Sequence, residues 1–268
     1  MFQHKLVRRS APMLAGLMLL ATGAAHAAEI RVVSSGGFAQ AYKNLAPAYE
    51  RASGDHLLSE WGPSMGTTNH AIPARLARGE QIDVVIMVGD ALDKLMREGR
   101  LVPGSKVVLA NSPIACAVRH GAPMPDISTT EGLRSAFLQA NKVAYSDSAS
   151  GEYIEQQLMH KLEITQQMQG KAAKIPATPV GEIIAHGQAD FGCQQRSELM
   201  PVAGIDIVGL LPAEVQLMTE FSAALVRDAR QPEAGRALLR FLAAPANAGA
   251  IEATGLLPAA AARSASTH

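Results

Sequence analysis

The chain has 268 residues, a formal net charge of 0 at pH 7, and a composition that is 48% hydrophobic and 18% charged. Because no run of Lys or Arg forms a basic patch, nucleic acid is not expected as a partner. Two cysteines and scattered histidines give no zinc-type spacing, so the sequence predicts no metal site.

The first 27 residues are typical of a cleaved secretory signal peptide. Lys5, Arg8 and Arg9 precede an apolar run that ends at the small-residue cleavage site Ala25-His26-Ala27. The alternative is an amphipathic first helix. Cleavage before Ala28 lowers the formal charge from 0 to −3, because the leader contains no acidic residue. We therefore expect a periplasmic protein without stable membrane insertion, since no later segment has the roughly 20 apolar residues that a membrane span needs.

Strand and helix patterns alternate along the remaining chain. Apolar runs predict strands at 30–34, 84–88, 106–110, 114–118, 143–145, 191–194 and 222–226. Helical patterns lie at 38–52, 71–78, 92–98, 154–162, 181–186 and 232–243. This alternation favours an α/β fold with parallel sheets and crossover helices.

Two stretches resemble crossings between lobes. Residues 106–118 give a nearly continuous strand signal, interrupted at Asn111-Ser112-Pro113, and residues 217–226 give a second one. A domain entered at the first and left at the second would be inserted into a discontinuous one. The alternative is a single, continuous doubly wound sheet, although the mature chain is long enough for two separate cores.

The two cysteines, Cys116 and Cys193, lie in apolar, strand-like segments. A buried free thiol behaves as a small hydrophobic group, so we expect both to be unpaired in the core. A disulfide is the alternative in an oxidising compartment.

Three strand-to-helix turns combine glycine with hydroxyl side chains, which is typical of anion binding. Free backbone N–H groups at a helix start attract negative charge, and hydroxyls add donors. The residues expected to contact a ligand are Ser34, Ser35 and Gly37 in the first turn, Ser64, Met65, Gly66 and Thr67 in the second, and Ser148 and Ser150 in the third. For each serine taken alone, the favoured alternative is an ordinary helix N-cap.

A fourth candidate element is the end of a short strand at Gln194-Gln195-Arg196. Side chains alternate along a strand, so one of the two amides should face the cleft, and we expect it to be Gln195. Arg196 is either a second carboxylate contact or a solvated loop charge.

Three titratable residues lie near these turns. His70 and Glu152 are the candidate bases, and the alternative for Glu152 is a first-turn acid favoured by the helix dipole. Tyr153 is expected to pack against the neighbouring strand.

Taken together, these segments resemble the periplasmic molybdate-binding proteins of ABC importers. The resemblance rests on SSGG after the first strand and on WGPSMGTT, RLARGEQIDVVIMV, SDSASGEYI and ADFGCQQRSEL. It implies a type II periplasmic-binding fold, in which two α/β lobes are joined by two hinge strands and bind the ligand between them. Lobe I would then comprise 28–110 plus 218–258, lobe II 111–217, and a tail 259–268.

The first turn and the end of lobe II depart from that family. Its transporters usually carry Ala-Ala-Ala-Ser in the first turn, so Gly37 stands where their ligand-binding Ser lies, and Gln195 stands where they have a Tyr. The PSMG and GCQQRSEL segments are more similar to a branch of the family that includes periplasmic aconitate isomerases.

This closer resemblance implies a function. It implies interconversion of trans- and cis-aconitate by an allylic proton shift that needs no cofactor. Such a shift requires a base, and the candidates from the residues near the turns are His70 and Glu152. The alternative is a substrate-binding protein that delivers a small oxyanion or carboxylate to an ABC permease, and only that alternative requires a permease partner.

Overall fold

The structure, a computed structural model, describes residues 27–66, 68–176 and 178–259. The predicted leader, except Ala27, lies outside the described residues, as do Thr67 and the tail beyond residue 259. Two β-sheets with helices packed against them give the expected α/β architecture. Within the described ranges, no helix is both long enough and apolar enough to cross a membrane.

The first sheet contains strands from two separate parts of the chain, whereas the second is built from one continuous segment. The first sheet has the order β11-β4-β10-β3-β1-β2 and consists of β1 (Glu29–Ser34), β2 (His56–Trp61), β3 (Val84–Val88), β4 (Val107–Ser112), β10 (Thr219–Leu225) and β11 (Leu257–Pro258). The second has the order β7-β6-β8-β5-β9 and consists of β5 (Ile114–Arg119), β6 (Val143–Ser146), β7 (Ala172–Ile175), β8 (Phe191–Gln195) and β9 (Ile205–Leu210). The helices are α1 (Gly36–Ser53), α2 (Ile72–Ala77), α3 (Gly89–Arg97), α4 (Thr130–Gln139), α5 (Ala149–Tyr153), α6 (Met159–Lys161), α7 (Val180–Ala185), α8 (Arg196–Leu199), α9 (Pro232–Leu242) and α10 (Ala248–Glu252).

The chain crosses between the two sheets twice. It leaves the first sheet at the end of β4, passes through Pro113 into β5, and returns between β9 and β10. The fold therefore has two lobes joined by two hinge strands, as the sequence predicts. The residue bounds given above for each lobe stay a prediction.

The sheets are mixed, so the expectation of purely parallel sheets is wrong at the crossings. β1 runs parallel to β2 and β3, and β6 runs parallel to β7 and β8. In contrast, β10 is antiparallel to β3 and β4, and β5 is antiparallel to β8 and β9. A strand that arrives from the other lobe enters its sheet at the edge where the parallel strands end, and it therefore runs in the opposite direction.

Helix α1 shows how the sequence positions the site. Its buried apolar residues Phe38, Tyr42, Leu45 and Tyr49 recur at spacings of three and four, which places them on one face. That face packs into the core of the first sheet with β1 and β3. The helix starts two residues after β1 ends, so its N-terminus lies at the carboxyl edge of the sheet, where α/β folds bind ligands.

Cys116 and Cys193 form a disulfide, so the expectation of two unpaired thiols is wrong. Both lie in the predicted strands, but β5 and β8 pair antiparallel in a register that sets Cys116 directly opposite Cys193. Their Cα atoms are 4.0 Å apart, and both residues are fully buried. Strand pairing, which the linear pattern does not specify, brings the two sulfur atoms together.

Candidate active site

A cleft of about 410 Å³ lies where the strand ends of both sheets meet. Its walls come from the ends of β3 and β8, from the segments after β1, β2, β6, β7 and β8, and from the hinge strand β10. It is lined by Ser35, Gly36, Ala39, Lys43, Trp61, Gly62, Pro63, Ser64, His70, Val88, Ser146, Asp147, Ser148, Thr178, Pro179, Gln194, Gln195, Glu198 and Phe221. Five predicted site residues are among them, namely Ser35, Ser64, His70, Ser148 and Gln195.

Ser35 is the residue before α1 and presents an unused hydroxyl to the cleft. Its backbone N–H donates to the carbonyl oxygen of Ile86 at 2.8 Å, which fixes the turn against β3. Its Oγ is buried and has no hydrogen-bond partner among the described residues, and it does not cap the helix. A buried polar atom without a partner is costly, so this hydroxyl indicates a place for a ligand atom next to the free N–H groups of an 18-residue helix.

Gln194 and Gln195 both line the cleft, so the expectation that only one of the two amides faces it is wrong. Gln195 presents the second unsatisfied polar atom. Its side chain is 1% exposed, Nε2 donates to Thr219 Oγ1 at 2.8 Å, and Oε1 is buried without a partner among the described residues. Because a hydroxyl both donates and accepts, rotating the amide by 180° keeps the bond to Thr219 and turns the NH₂ group to the free side. The free end of this amide can therefore bind either a donor or a carboxylate oxygen.

The second turn contributes a hydroxyl and an imidazole. Ser64 Oγ accepts the backbone N–H of Val88 at 2.9 Å, so the serine is held in place and its hydroxyl hydrogen can still be donated to a ligand. His70 is exposed and reaches the cleft from the end of the same loop. Neither Met65, which packs against the core of the first sheet, nor Gly66, which is exposed, is a lining residue.

The third turn forms a small network of serine hydroxyls. Ser146 Oγ lies 2.9 Å from Ser148 Oγ and 3.2 Å from Ser150 Oγ. Ser148 lines the cleft, whereas Ser150 is fully buried and satisfied within the network. Gly151 is required here, because a Cβ at this position would overlap the carbonyl group of Ser146.

Several predicted contacts lie away from the cleft surface. Glu152 is half-buried on α5 and is not a lining residue, and Ser34 is fully buried and donates to the carbonyl of Ser35 at 3.1 Å. Tyr153 is buried in one hydrophobic cluster with Val143 and Tyr145 of β6, as expected for packing against that strand, and its hydroxyl donates to the carbonyl of Val215 at 2.7 Å. Arg196 is also absent from the lining residues.

Gly37 is not itself a lining residue, but the Phe221 ring that covers it is. A Cβ at Gly37 would overlap the ring of Phe221, which comes from the hinge strand β10 and lines the cleft. The carbonyl oxygen of Gly37 accepts a hydrogen bond from Ser197 Oγ at 2.7 Å, which ties α1 to α8 of the other lobe. An aromatic ring thus occupies the space that a side chain at position 37 would need.

The structure adds a carboxyl group that the sequence patterns did not single out, that of Glu198 on α8. Glu198 is half-buried and lines the cleft. Burial raises the pKa of Glu198 to about 7, the negative charge of Asp147 adds to the rise, and a hydrogen bond from Gln194 opposes it. The signal in the sequence was its position three residues after Gln195, inside a segment already identified as the end of a strand.

The charge distribution in the cleft is mixed. Lys43 of α1 supplies a positive charge at the cleft wall, where its Nζ lies 4.7 Å from the centroid of the Trp61 ring. Asp147 and Glu198 supply negative charge from the second lobe. Within 27–66, 68–176 and 178–259, no three His, Cys, Asp or Glu side chains come close enough together to hold a metal ion.

Comparison with known proteins gives a family and a similar sequence. Residues 30–257 match the family described as bacterial extracellular solute-binding protein. An aconitate isomerase from Pseudomonas sp. is 49% identical over 247 residues, which is 91% of this chain and 94% of that protein.

Solved structures with the same fold have much lower sequence identity. The periplasmic molybdate-binding protein of Azotobacter vinelandii has a TM-score of 0.67 and 17% identity, with 85% of this chain and 98% of that chain covered. The sulfate-binding protein SubI from Mycobacterium tuberculosis H37Rv has a TM-score of 0.71 and 16% identity, with coverages of 89% and 90%. At these identities the likeness shows the two-lobed fold alone.

Proposed function

This chain belongs to the family of bacterial extracellular solute-binding proteins, and on that premise we propose that it is a periplasmic aconitate isomerase. The observation that carries the proposal is the 49% identity, over nearly the full length of both chains, to an aconitate isomerase. The reaction we propose is the interconversion of trans- and cis-aconitate in the cleft between the lobes.

The cleft has the size and the donors that a small polycarboxylate requires. Its volume of about 410 Å³ falls within the range of roughly 300–1,000 Å³ that small-molecule sites occupy. The hydroxyls of Ser35, Ser64 and Ser148 and the amide of Gln195 line it, and α1 directs its first N–H groups to the same place. These groups bind carboxylate oxygens, and they stabilise negative charge that builds up during reaction.

The chemistry needs a base and charge stabilisation only. One methylene C–H bond breaks, and its electron pair forms the new C=C bond. The electrons of the original double bond take up a proton at the opposite end of the allyl system. No electron leaves the substrate, so the proposed reaction requires no redox cofactor.

A binding protein of an ABC importer for a small oxyanion or carboxylate is the second candidate. The observation in its favour is the family itself, together with the fold that the chain shares with a molybdate-binding and a sulfate-binding protein. Such a protein would close on its ligand and release it unchanged, and a permease would then be its partner.

Purified mature protein is expected to convert trans-aconitate into the same mixture of isomers that it produces from cis-aconitate. Chromatographic separation of the two isomers over time, from each starting compound, measures this directly. A heat-denatured sample is the control. Tight binding of either isomer with no conversion from either side would favour the importer candidate instead.

Replacing Ser35 by Ala, or Gln195 by Leu, is expected to weaken binding of trans-aconitate at least about 10-fold. Each variant removes a buried polar group that has no other partner on its free side, and a hydrogen bond to a charged group contributes roughly 1.5–3 kcal/mol. Isothermal titration calorimetry measures the affinities. Ser135→Ala, on α4 and outside the cleft, is the matched control, and equal affinities for all three variants would contradict the proposed ligand position.

A further inference from the structure

We propose that Glu198 is the catalytic residue that removes and returns the substrate proton, and that Gln194 is the residue that positions its carboxyl group. The proposal rests on the proposed isomerase function and names the group that performs it.

Glu198 occupies a position that other interactions in the protein do not explain. It lines the cleft and also a neighbouring cavity of about 470 Å³, so it forms part of the partition between the two. None of the ion pairs among the described residues includes it. A Cβ at Gly36 would lie only 3.1 Å from Glu198 Oε1, so glycine at the first residue of α1 leaves room for this carboxyl at the helix N-terminus.

The orientation of the Gln194 amide is fixed by the backbone. Gln194 Oε1 accepts the N–H of Val180 at 2.9 Å, and a backbone N–H can only donate. Nε2 must therefore be the end that points to Glu198, and it donates to Glu198 Oε2. This bond holds the carboxyl in one orientation and favours its ionised form.

Of the carboxyl and imidazole groups that line the cleft, the carboxyl of Glu198 is the one that a hydrogen bond from a neighbouring side chain holds in place. The other titratable side chains of the cleft are Lys43, His70 and Asp147. No side-chain hydrogen bond among the described residues fixes His70 or Asp147, and Lys43 stacks on Trp61. A base must stay within hydrogen-bonding reach of one carbon, so a fixed carboxyl suits the role better than a free one.

Glu198 also suits the proton transfer chemically. As a carboxylate it takes the methylene proton, and as a carboxylic acid it gives a proton to the other terminal carbon, which restores its charge at the end of the cycle. The negative charge that spreads over the allyl system and its carboxylates lies near the N-terminus of α1 and the Ser35 hydroxyl. Because its pKa is raised to about 7, both forms are populated near neutral pH, which favours transfer in both directions.

Glu198→Gln is expected to lower kcat about 10²–10⁴-fold while trans-aconitate still binds within a few-fold of the parental affinity. Glu198→Asp should retain part of the activity. The matched control is Glu182→Gln, since Glu182 lines the neighbouring cavity and not the cleft, and it should turn over at the parental rate. The predicted candidates His70→Ala and Glu152→Gln are measured in the same series.

The pH dependence of kcat/KM shows whether Gln194 positions the carboxyl group of Glu198 or only packs against it. The parental kcat/KM should rise with pH and level off above about 7, because the free enzyme must hold Glu198 ionised to accept a proton. Gln194→Leu removes a bond that stabilises the carboxylate, so the rising limb should move to higher pH. The charged and titratable groups that share one of the two cavities with Glu198, or precede it on α8, are Lys43, His70, Asp147, Glu182, His186 and Arg196.

The outcomes are distinguishable. Parental turnover by Glu198→Gln, with active wild-type protein, would overturn the role of Glu198 and leave the isomerase function standing. Reduced kcat in Gln194→Leu without movement of the limb would overturn the positioning role. Wild-type protein that binds aconitate and never converts it would overturn the proposed function and the role of Glu198 together.

Discussion

Reduced protein is expected to be about 4 kcal/mol less stable than protein with the Cys116–Cys193 disulfide intact. The bond joins residues 77 apart in the chain, and closing a loop of that length removes conformational entropy from the unfolded state. Urea unfolding with and without reductant measures the difference. The comparison keeps both side chains unchanged, so no cavity or new polar group complicates it.

The disulfide is also expected to affect ligand binding. Cys193 is followed directly by Gln194 and Gln195, so the bond anchors the strand that carries two cleft amides. We expect Cys116→Ala/Cys193→Ala to lose ligand affinity at temperatures where the oxidised protein still binds. Identical unfolding midpoints for reduced and oxidised protein would refute the stabilising role of the disulfide.

Gly37→Ser is expected to reduce ligand affinity at least about 100-fold, which corresponds to roughly 2.7 kcal/mol. The new Cβ would overlap the Phe221 ring, which is 2% exposed and has little room to move. Forcing atoms into a packed site costs typically 1–3 kcal/mol or more. Here the strain falls on the hinge strand and on the bond between Ser197 and the Gly37 carbonyl, which joins the lobes.

A second substitution tests that mechanism. Phe221→Ala removes the ring, so Gly37→Ser/Phe221→Ala should be more stable than the sum of the two single effects predicts. Gly249→Ser is the matched control, because a Cβ at Gly249 meets no atom within 4 Å. If Gly37→Ser binds and unfolds like the control, the ring does not exclude a side chain at this position.

The interior of each sheet could be predicted from the sequence. The seven predicted strands all exist, because a strand buried on both faces requires a run of apolar residues. The four strands that were missed, β2, β7, β9 and β11, are the four edges of the two sheets. An edge strand is partly exposed, so its sequence carries no such run, and its neighbour in the sheet decides that it forms.

Some residues of the candidate site could likewise be predicted from the sequence, and others could not. Ser35, Ser148 and Gln195 could be located from the sequence, because the carboxyl end of a predicted strand is a local feature that points at the cleft. Ser64 could be located from the glycine and hydroxyl residues of its turn, although the strand before it, β2, was not predicted. His70 reached the cleft from the loop that followed one such turn. Glu152 did not, because a position in the first turn of a helix does not specify which way the side chain faces.

Only the tertiary structure decided the features that depend on contacts between distant segments. The disulfide needs the register of β5 against β8, the wall over Gly37 needs the ring of Phe221 from the hinge strand, and Glu198 needs burial against α1 of the other lobe. The sequence by itself determined the local elements, since backbone hydrogen bonding and apolar spacing act over a few residues. Which polar groups lose water, and therefore which carboxyl has a raised pKa, is set by packing between lobes that are separate in the chain.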